Sequence, residues 1–179
     1  MSSLILSYFF ICLEVFMEQY NDIYNRNKKL DDIFMSKYMD TEDKLYEKNC
    51  LELVVELCEL ANESKCFKYW TVKKPDRELV LEEFADCLLM VLYMFNTYDI
   101  DSVSTIDVDM SLNILEEFNV LIRMCTNLMS RDNINEMFLK EIFTRLIHIG
   151  SLLELNDNDI VEACYKKIIK NEERLSSDY

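Results

Sequence analysis

Leu51-Glu52-Leu53-Val54-Val55-Glu56-Leu57-Cys58-Glu59-Leu60-Ala61-Asn62-Glu63 reads as a helix with inverted proportions. At 3.6 residues per turn, Glu52, Glu56, Glu59 and Glu63 fall within a stripe of roughly 60°, and most of the remaining circumference is apolar. An ordinary surface helix has a broad polar face and a limited apolar stripe. A narrow acidic stripe inside a wide apolar arc predicts a helix packed on most sides, with its carboxylates lining a cleft.

The stretch Leu79-Val80-Leu81-Glu82-Glu83-Phe84-Ala85-Asp86-Cys87-Leu88-Leu89-Met90 sharpens this reading. Glu83 and Asp86 are three apart and share a helix face, and no residue from Cys87 to Tyr98 is charged. Such a helix belongs in the core, where carboxylates need partners. Two like charges about 5 Å apart at an effective dielectric near 20 repel by about 3 kcal/mol. Protonation or bound cations must relieve that repulsion. Spacing alone says little, because 34 acidic residues in 179 give about six i,i+3 acidic pairs by chance. The apolar setting carries the signal, and it suits a cation site as well as salt-bridged packing carboxylates. An all-oxygen ligand set favours Mg²⁺ or Mn²⁺ over zinc. Four carboxylates suit a pair of cations that coordinate phosphates and acidify a water.

The remaining composition excludes other classes. One Gly and one Pro argue against a many-stranded β fold, whose turns lean on Gly. Gly150 alone cannot build a P-loop or a dinucleotide fingerprint. His148 alone cannot build a multi-histidine metal centre; set in the apolar run Arg145 to Ile149, it reads as a core or boundary residue. A net charge of −15 repels nucleic-acid backbones and anionic lipid, so neither nucleic acid nor membrane is expected as a partner. A phosphorylated metabolite bridged by divalent ions remains compatible with that charge. Seven cysteines without a C-x-x-C pair predict reduced thiols in a cytoplasmic protein.

The fold class is all-α, a bundle of about six helices in one domain spanning residues 1–179. Helices are expected over about 4–27, 45–65, 76–98, 109–129, 133–153 and 156–174. A short helix near 30–38 is expected inside the polar stretch 26–48. Pro75-Asp76 is a helix start, and Asn156 or Asp157 supplies the last N-cap. The apolar run from Leu4 to Leu13 is too short to span a bilayer and lacks the basic flank of a signal peptide. Phe9, Phe10, Met110 and Met137 pack either in the core or across a dimer.

The stretch Glu56-Leu57-Cys58-Glu59-Leu60-Ala61-Asn62-Glu63-Ser64-Lys65-Cys66-Phe67-Lys68-Tyr69-Trp70 strongly resembles E-x-x-E-L-A-N-E-x-x-x-F-K-x-W. That is the first metal-binding segment of the dimeric all-α dUTPase family, within the MazG-like nucleoside-triphosphate pyrophosphohydrolase superfamily. Leu81-Glu82-Glu83-Phe84-Ala85-Asp86-Cys87-Leu88 resembles the family's second segment, L-E-E-x-x-D-x-L. Phe16-Met17-Glu18-Gln19 is similar to the N-terminal segment whose Gln helps read uracil. Tyr165-Lys166-Lys167, with Asn171 and Arg174, is similar to the phosphate-binding K-N-x-x-N-x-x-R-Q stretch.

The resemblance implies a homodimer that hydrolyses dUTP to dUMP and pyrophosphate. It makes Glu56, Glu59, Glu83 and Asp86 the Mg²⁺ ligands, with Mn²⁺ as a substitute. One of Glu56 and Glu59, with Glu59 preferred, orients or deprotonates the attacking water. Lys167, Asn171 and Arg174 contact the phosphates. Gln19, Asn62, Lys68 and Trp70 are carried over as substrate-binding residues, Trp70 either lining the base pocket or packing beside it. The chain departs from the pattern at Leu89, Met90 and Tyr93, where His, Phe and Ser are usual. It also departs at Ile23 (unless the register shifts to Glu18 and Asp22), Ile168 and Leu175. Most of these positions fall where base or ribose would be read. Two alternatives therefore stand beside dUTP: a MazG-like enzyme for another nucleotide such as dCTP, and a catalytically silent helical interaction protein.

Overall fold

The computed structural model describes residues 3–37, 42–131 and 134–177, with side chains from Phe16 onward except at 42–44. Phe9, Phe10 and Cys12 lie outside the described side chains. Among the described residues there are six α-helices and no strand, as the composition predicts.

Helix α3 (Arg77–Thr97) is the hub, touching α1 (Ser3–Lys37), α2 (Glu42–Ser64), α5 (Glu136–Leu152) and α6 (Asp157–Ser176). Its apolar residues have neighbours on nearly every side, so Phe84, Leu88, Leu92 and Phe95 are fully buried. The start follows Pro75: Asp76 caps the helix by accepting a 3.0 Å bond from the Glu78 N–H. A Cβ on Gly150 would lie 2.9 Å from the Phe84 ring, so glycine lets α5 approach α3 this closely. Helix α4 (Ile114–Leu128) completes the bundle against α2 and α5.

Three sequence expectations change. The first helix does not end near residue 27; α1 continues to Lys37. Tyr20, Ile23, Tyr24, Asn27 and Leu30 are all buried, an i, i+3, i+4, i+7 pattern that runs straight through the polar stretch. The charged residues between them occupy the outer face, and no Gly or Pro interrupts the helix.

Helix α2 is packed on one side rather than on most sides. Among the described helices it touches α3 and α4. Leu53, Leu57 and Leu60 are buried, whereas Leu51 and Val55 are 54% and 44% exposed.

Helix α4 starts at Ile114, not near 109, because Asn113 takes the cap and accepts from the Leu115 N–H at 3.0 Å. The residues before it form an irregular strap fastened by side chains. Asn21 bonds both the N–H and the carbonyl of Val103 (2.8 and 3.0 Å). Thr144 accepts from the Ile106 N–H at 3.0 Å, and Arg145 donates to the Asp109 carbonyl at 3.2 Å. His148 Nε2 lies 2.8 Å from the Ser111 carbonyl, the boundary role expected of it.

Asn156 caps α6. The expected α5 start at Asn133 lies outside the described residues, and Asn135 caps the helix seen. Met110 is half-buried, whereas Met137 is exposed. Cys50, Cys58, Cys66, Cys87, Cys125 and Cys164 are free thiols. Among the described residues no helix is long and apolar enough to cross a membrane.

Candidate active site

Packing α2 on α3 brings the two acidic pairs together. Glu56 and Glu59 of α2 and Glu83 of α3 each place one carboxylate oxygen within 4.8 Å of the others. Asp86, one turn further along α3, is engaged by α6 instead: Lys167 Nζ lies 2.5 Å from its Oδ2. A cleft of about 430 Å³ borders this group, with walls from α1, α2, α3 and α6. Glu52, Glu56, Asp86, Lys167 and Arg174 line its charged part, with Asn171 between the last two on α6. Apolar walls come from Leu30, Phe34, Leu89 and Met90, and polar side chains from Asn27, Asp31, Asn49 and Tyr93.

The carboxylates resist ionisation. Burial, then the neighbouring Asp86, Glu59 and Glu83, push Glu56 up to about 7, against a partial pull down from Lys167. Burial followed by Asp86 and Glu59 raises Glu83. Asp86 is also raised, because burial outweighs the Lys167 bond. Glu52 is raised by burial and then by Asp86. Crowded carboxylates whose charge is costly form a site that a cation would relieve.

The other sequence-derived residues lie elsewhere. Gln19, Asn62, Lys68 and Trp70 are not among the residues lining the cleft. Gln19 sits on α1 with its Oε1 buried and unpaired. Asn62 donates to Glu63 at 2.9 Å, and Lys68 Nζ stands 5.8 Å from the Phe67 ring. Trp70 is exposed and meets Phe67 and Tyr69 edge-on. Ile23 and Ile168 are fully buried in the core, so their apolar identity serves packing. Asp22 bonds the Tyr165 hydroxyl, and Leu175 is half-buried. Leu89, Met90 and Tyr93 do line the cleft.

A family model described as dUTPase matches residues 19–179. The chain belongs to the dUTPase family. No curated protein matches it. This dUTPase is thus a nucleoside-triphosphate pyrophosphohydrolase of the dUTP diphosphatase class, and its substrate is a nucleotide.

The dUTPase cleft also holds residues that sequence reasoning missed. Asn27, Asp31 and Asn49 line it. Asn27 is buried and donates to the Leu89 carbonyl at 3.3 Å and to Asp31 at 3.2 Å. The signal was the buried face of α1 continuing past residue 26, which puts positions 27 and 31 one turn apart on the cleft side.

Burial, and secondarily Asp32, raises Asp31 from 3.8 to about 8, opposed by a bond from Asn96. The folded protein then holds this proton while the unfolded chain has released it. Stability from this group is complete at pH values below about 4 and is lost as pH rises to about 8. Asp31→Asn should therefore flatten the pH dependence. It should raise the melting temperature at pH 8.5 by about 4–8 °C, which corresponds to about 2 kcal/mol. Melting curves from pH 5 to 9 check this; an equal shift at both ends would exclude the titration as its source.

Proposed function

We propose that this dUTPase converts dUTP and water to dUMP and pyrophosphate with divalent ions, Mg²⁺ first and Mn²⁺ as substitute, held by Glu56, Glu59, Glu83 and Asp86. The observation that carries this reading is the convergence of three carboxylate oxygens within 4.8 Å, beside a cleft that also contains Lys167, Asn171 and Arg174. The donor set fits the ions: oxygen-only, anionic and crowded enough that charge compensation is favourable. Bound ions supply charge neutralisation for the phosphates and acidify water.

The chain's own side chains do the rest. Lys167 and Arg174 offset phosphate charge that the carboxylates alone would repel. Glu59, exposed at the open side of the cluster, orients the attacking water and accepts its proton. Leu30, Phe34, Leu89 and Met90 make an apolar seat for the nucleoside, and Asn27, Asp31, Asn49 and Tyr93 offer hydrogen bonds to its polar edges.

Pyrophosphate release from a panel of dUTP, dCTP, dTTP and dATP tests the substrate. The expected result is a preference for dUTP that depends on Mg²⁺ and disappears with chelator. Turnover undiminished by chelator would remove the metal from the reading, and preference for dCTP would remove the base assignment.

The same reading includes a homodimer. Its support is the unburied apolar surface of α2 at Leu51 and Val55, followed by Phe67, Trp70 and Val72 in the next loop. Sedimentation at twice the chain mass is expected; a stable single-chain mass at micromolar concentration would exclude it.

A further inference from the structure

Three of the four carboxylates share one space, while the fourth is held by a cation of the chain itself. The Lys167 and Asp86 side chains are only 16% and 12% exposed, and they meet at 2.5 Å. We infer that Lys167 is an internal competitor for the divalent ion: it holds Asp86 and would have to leave that carboxylate for Asp86 to ligate a cation. This inference rests on the carboxylate metal site proposed above.

The chemistry forces a choice. An ammonium group has donors and no acceptor, so it satisfies Asp86 only by occupying the oxygen that a cation would need. Two cations against one carboxylate repel each other at short range. Lysine is suited to being displaced, because its charge is a single point on a flexible four-carbon stem rather than a fixed fork. Asn171 and Arg174 follow Lys167 at one-turn intervals along α6 and line the same cleft. A displaced Lys167 therefore stays beside the polar wall available to an anionic phosphate chain. Loading the carboxylates and freeing a phosphate-binding cation become one event.

The sign of the expected effect distinguishes this role from an ordinary structural one. If Lys167 merely positioned Asp86, removing it would weaken metal binding. If it competes, Lys167→Met removes a rival bond and a repelling charge, leaves Asp86 unpaired, and so tightens metal binding.

Calorimetric titration of the intact protein with Mn²⁺ alone, without nucleotide, separates the two. Lys167→Met should bind Mn²⁺ roughly tenfold more tightly than the wild type, equivalent to about 1.4 kcal/mol. Lys167→Arg, which keeps a cation on Asp86, should bind no more tightly than the wild type. Lys170→Met removes an exposed lysine of the same helix, paired with Glu82 at 2.9 Å, and should change the affinity by less than about twofold.

The metal-free Lys167→Met protein should also melt lower than the wild type and gain more from Mn²⁺. If that variant does not fold without metal, Lys167→Gln replaces it in the titration. Equal or weaker binding by the Met or Gln variant, with the wild type still binding Mn²⁺, overturns the competition and leaves the metal site standing. A Lys170→Met gain as large as that of Lys167→Met overturns it too, since net charge would then suffice. A wild type that binds no Mn²⁺ removes the metal site, and the inference with it.

Discussion

Glu59→Gln is expected to lower pyrophosphate release from dUTP by roughly 10³-fold or more while leaving the metal-free protein as stable as the wild type, or slightly more so. Gln keeps the shape of Glu but loses the negative charge. It can neither accept the water's proton nor serve as an anionic ligand at the cluster. The fold does not need that charge, because Glu59 is exposed and lies among Glu56 and Glu83, two carboxylates of the same sign. Removing one of three like charges relieves part of the repulsion that raises Glu56. Activity and melting temperature should thus move apart, as expected where stability has been traded for a working site. Initial rates with Mg²⁺, and melting curves without it, measure both sides. A variant retaining more than about a tenth of wild-type turnover would remove Glu59 from its role.

The features legible in the sequence were those set by local periodicity. Glu56 and Glu59, and Glu83 and Asp86, sit on helices whose apolar runs are unmistakable, and α3 is the hub because apolar residues cover most of its circumference, leaving one strip for Glu83 and Asp86. Where a second element decides the outcome, the reading failed. The polar residues 26–29 hid the continuity of the first helix with the short one expected near 30–38, since only contact with α3 and α6 makes Asn27 and Leu30 interior positions. Composition also cannot distinguish an apolar arc buried by its own chain from one left exposed, as at Leu51 and Val55 of α2. The strap before α4 has no period at all; its course is fixed by side chains as distant as Asn21 and Arg145. The same limit separates Lys167 from Lys68. Both are lysines in family-like segments, but only the packing of α6 on α3 puts one of them on a carboxylate.

Arg145→Met should be the most damaging single change away from the cleft, costing about 3–5 kcal/mol. Glu117 is only 1% exposed and is the carboxylate the arginine serves, at 3.0 and 3.3 Å from Nη1. The same guanidinium binds Glu141 and the Asp109 carbonyl, and Glu117 in turn accepts the Ser111 N–H. Met preserves much of the volume but leaves a buried carboxylate without its cation and unfastens the strap at Asp109. For a chain of this size the loss corresponds to a fall in melting temperature of about 6–20 °C. The exposed pair Lys166–Glu162 provides the contrast: 73% and 67% exposed, it is screened by water, and its removal should leave the melting temperature nearly unchanged. A double replacement, Glu117→Leu with Arg145→Met, should recover much of the loss, because the penalty lies in the stranded charge more than in the missing pair. Thermal melts of the single and double variants decide the matter. A single variant that melts within about 2 °C of the wild type would show the carboxylate reaching water by another route. A double variant that melts lower still would show that the strap, rather than the charge, carries the stability.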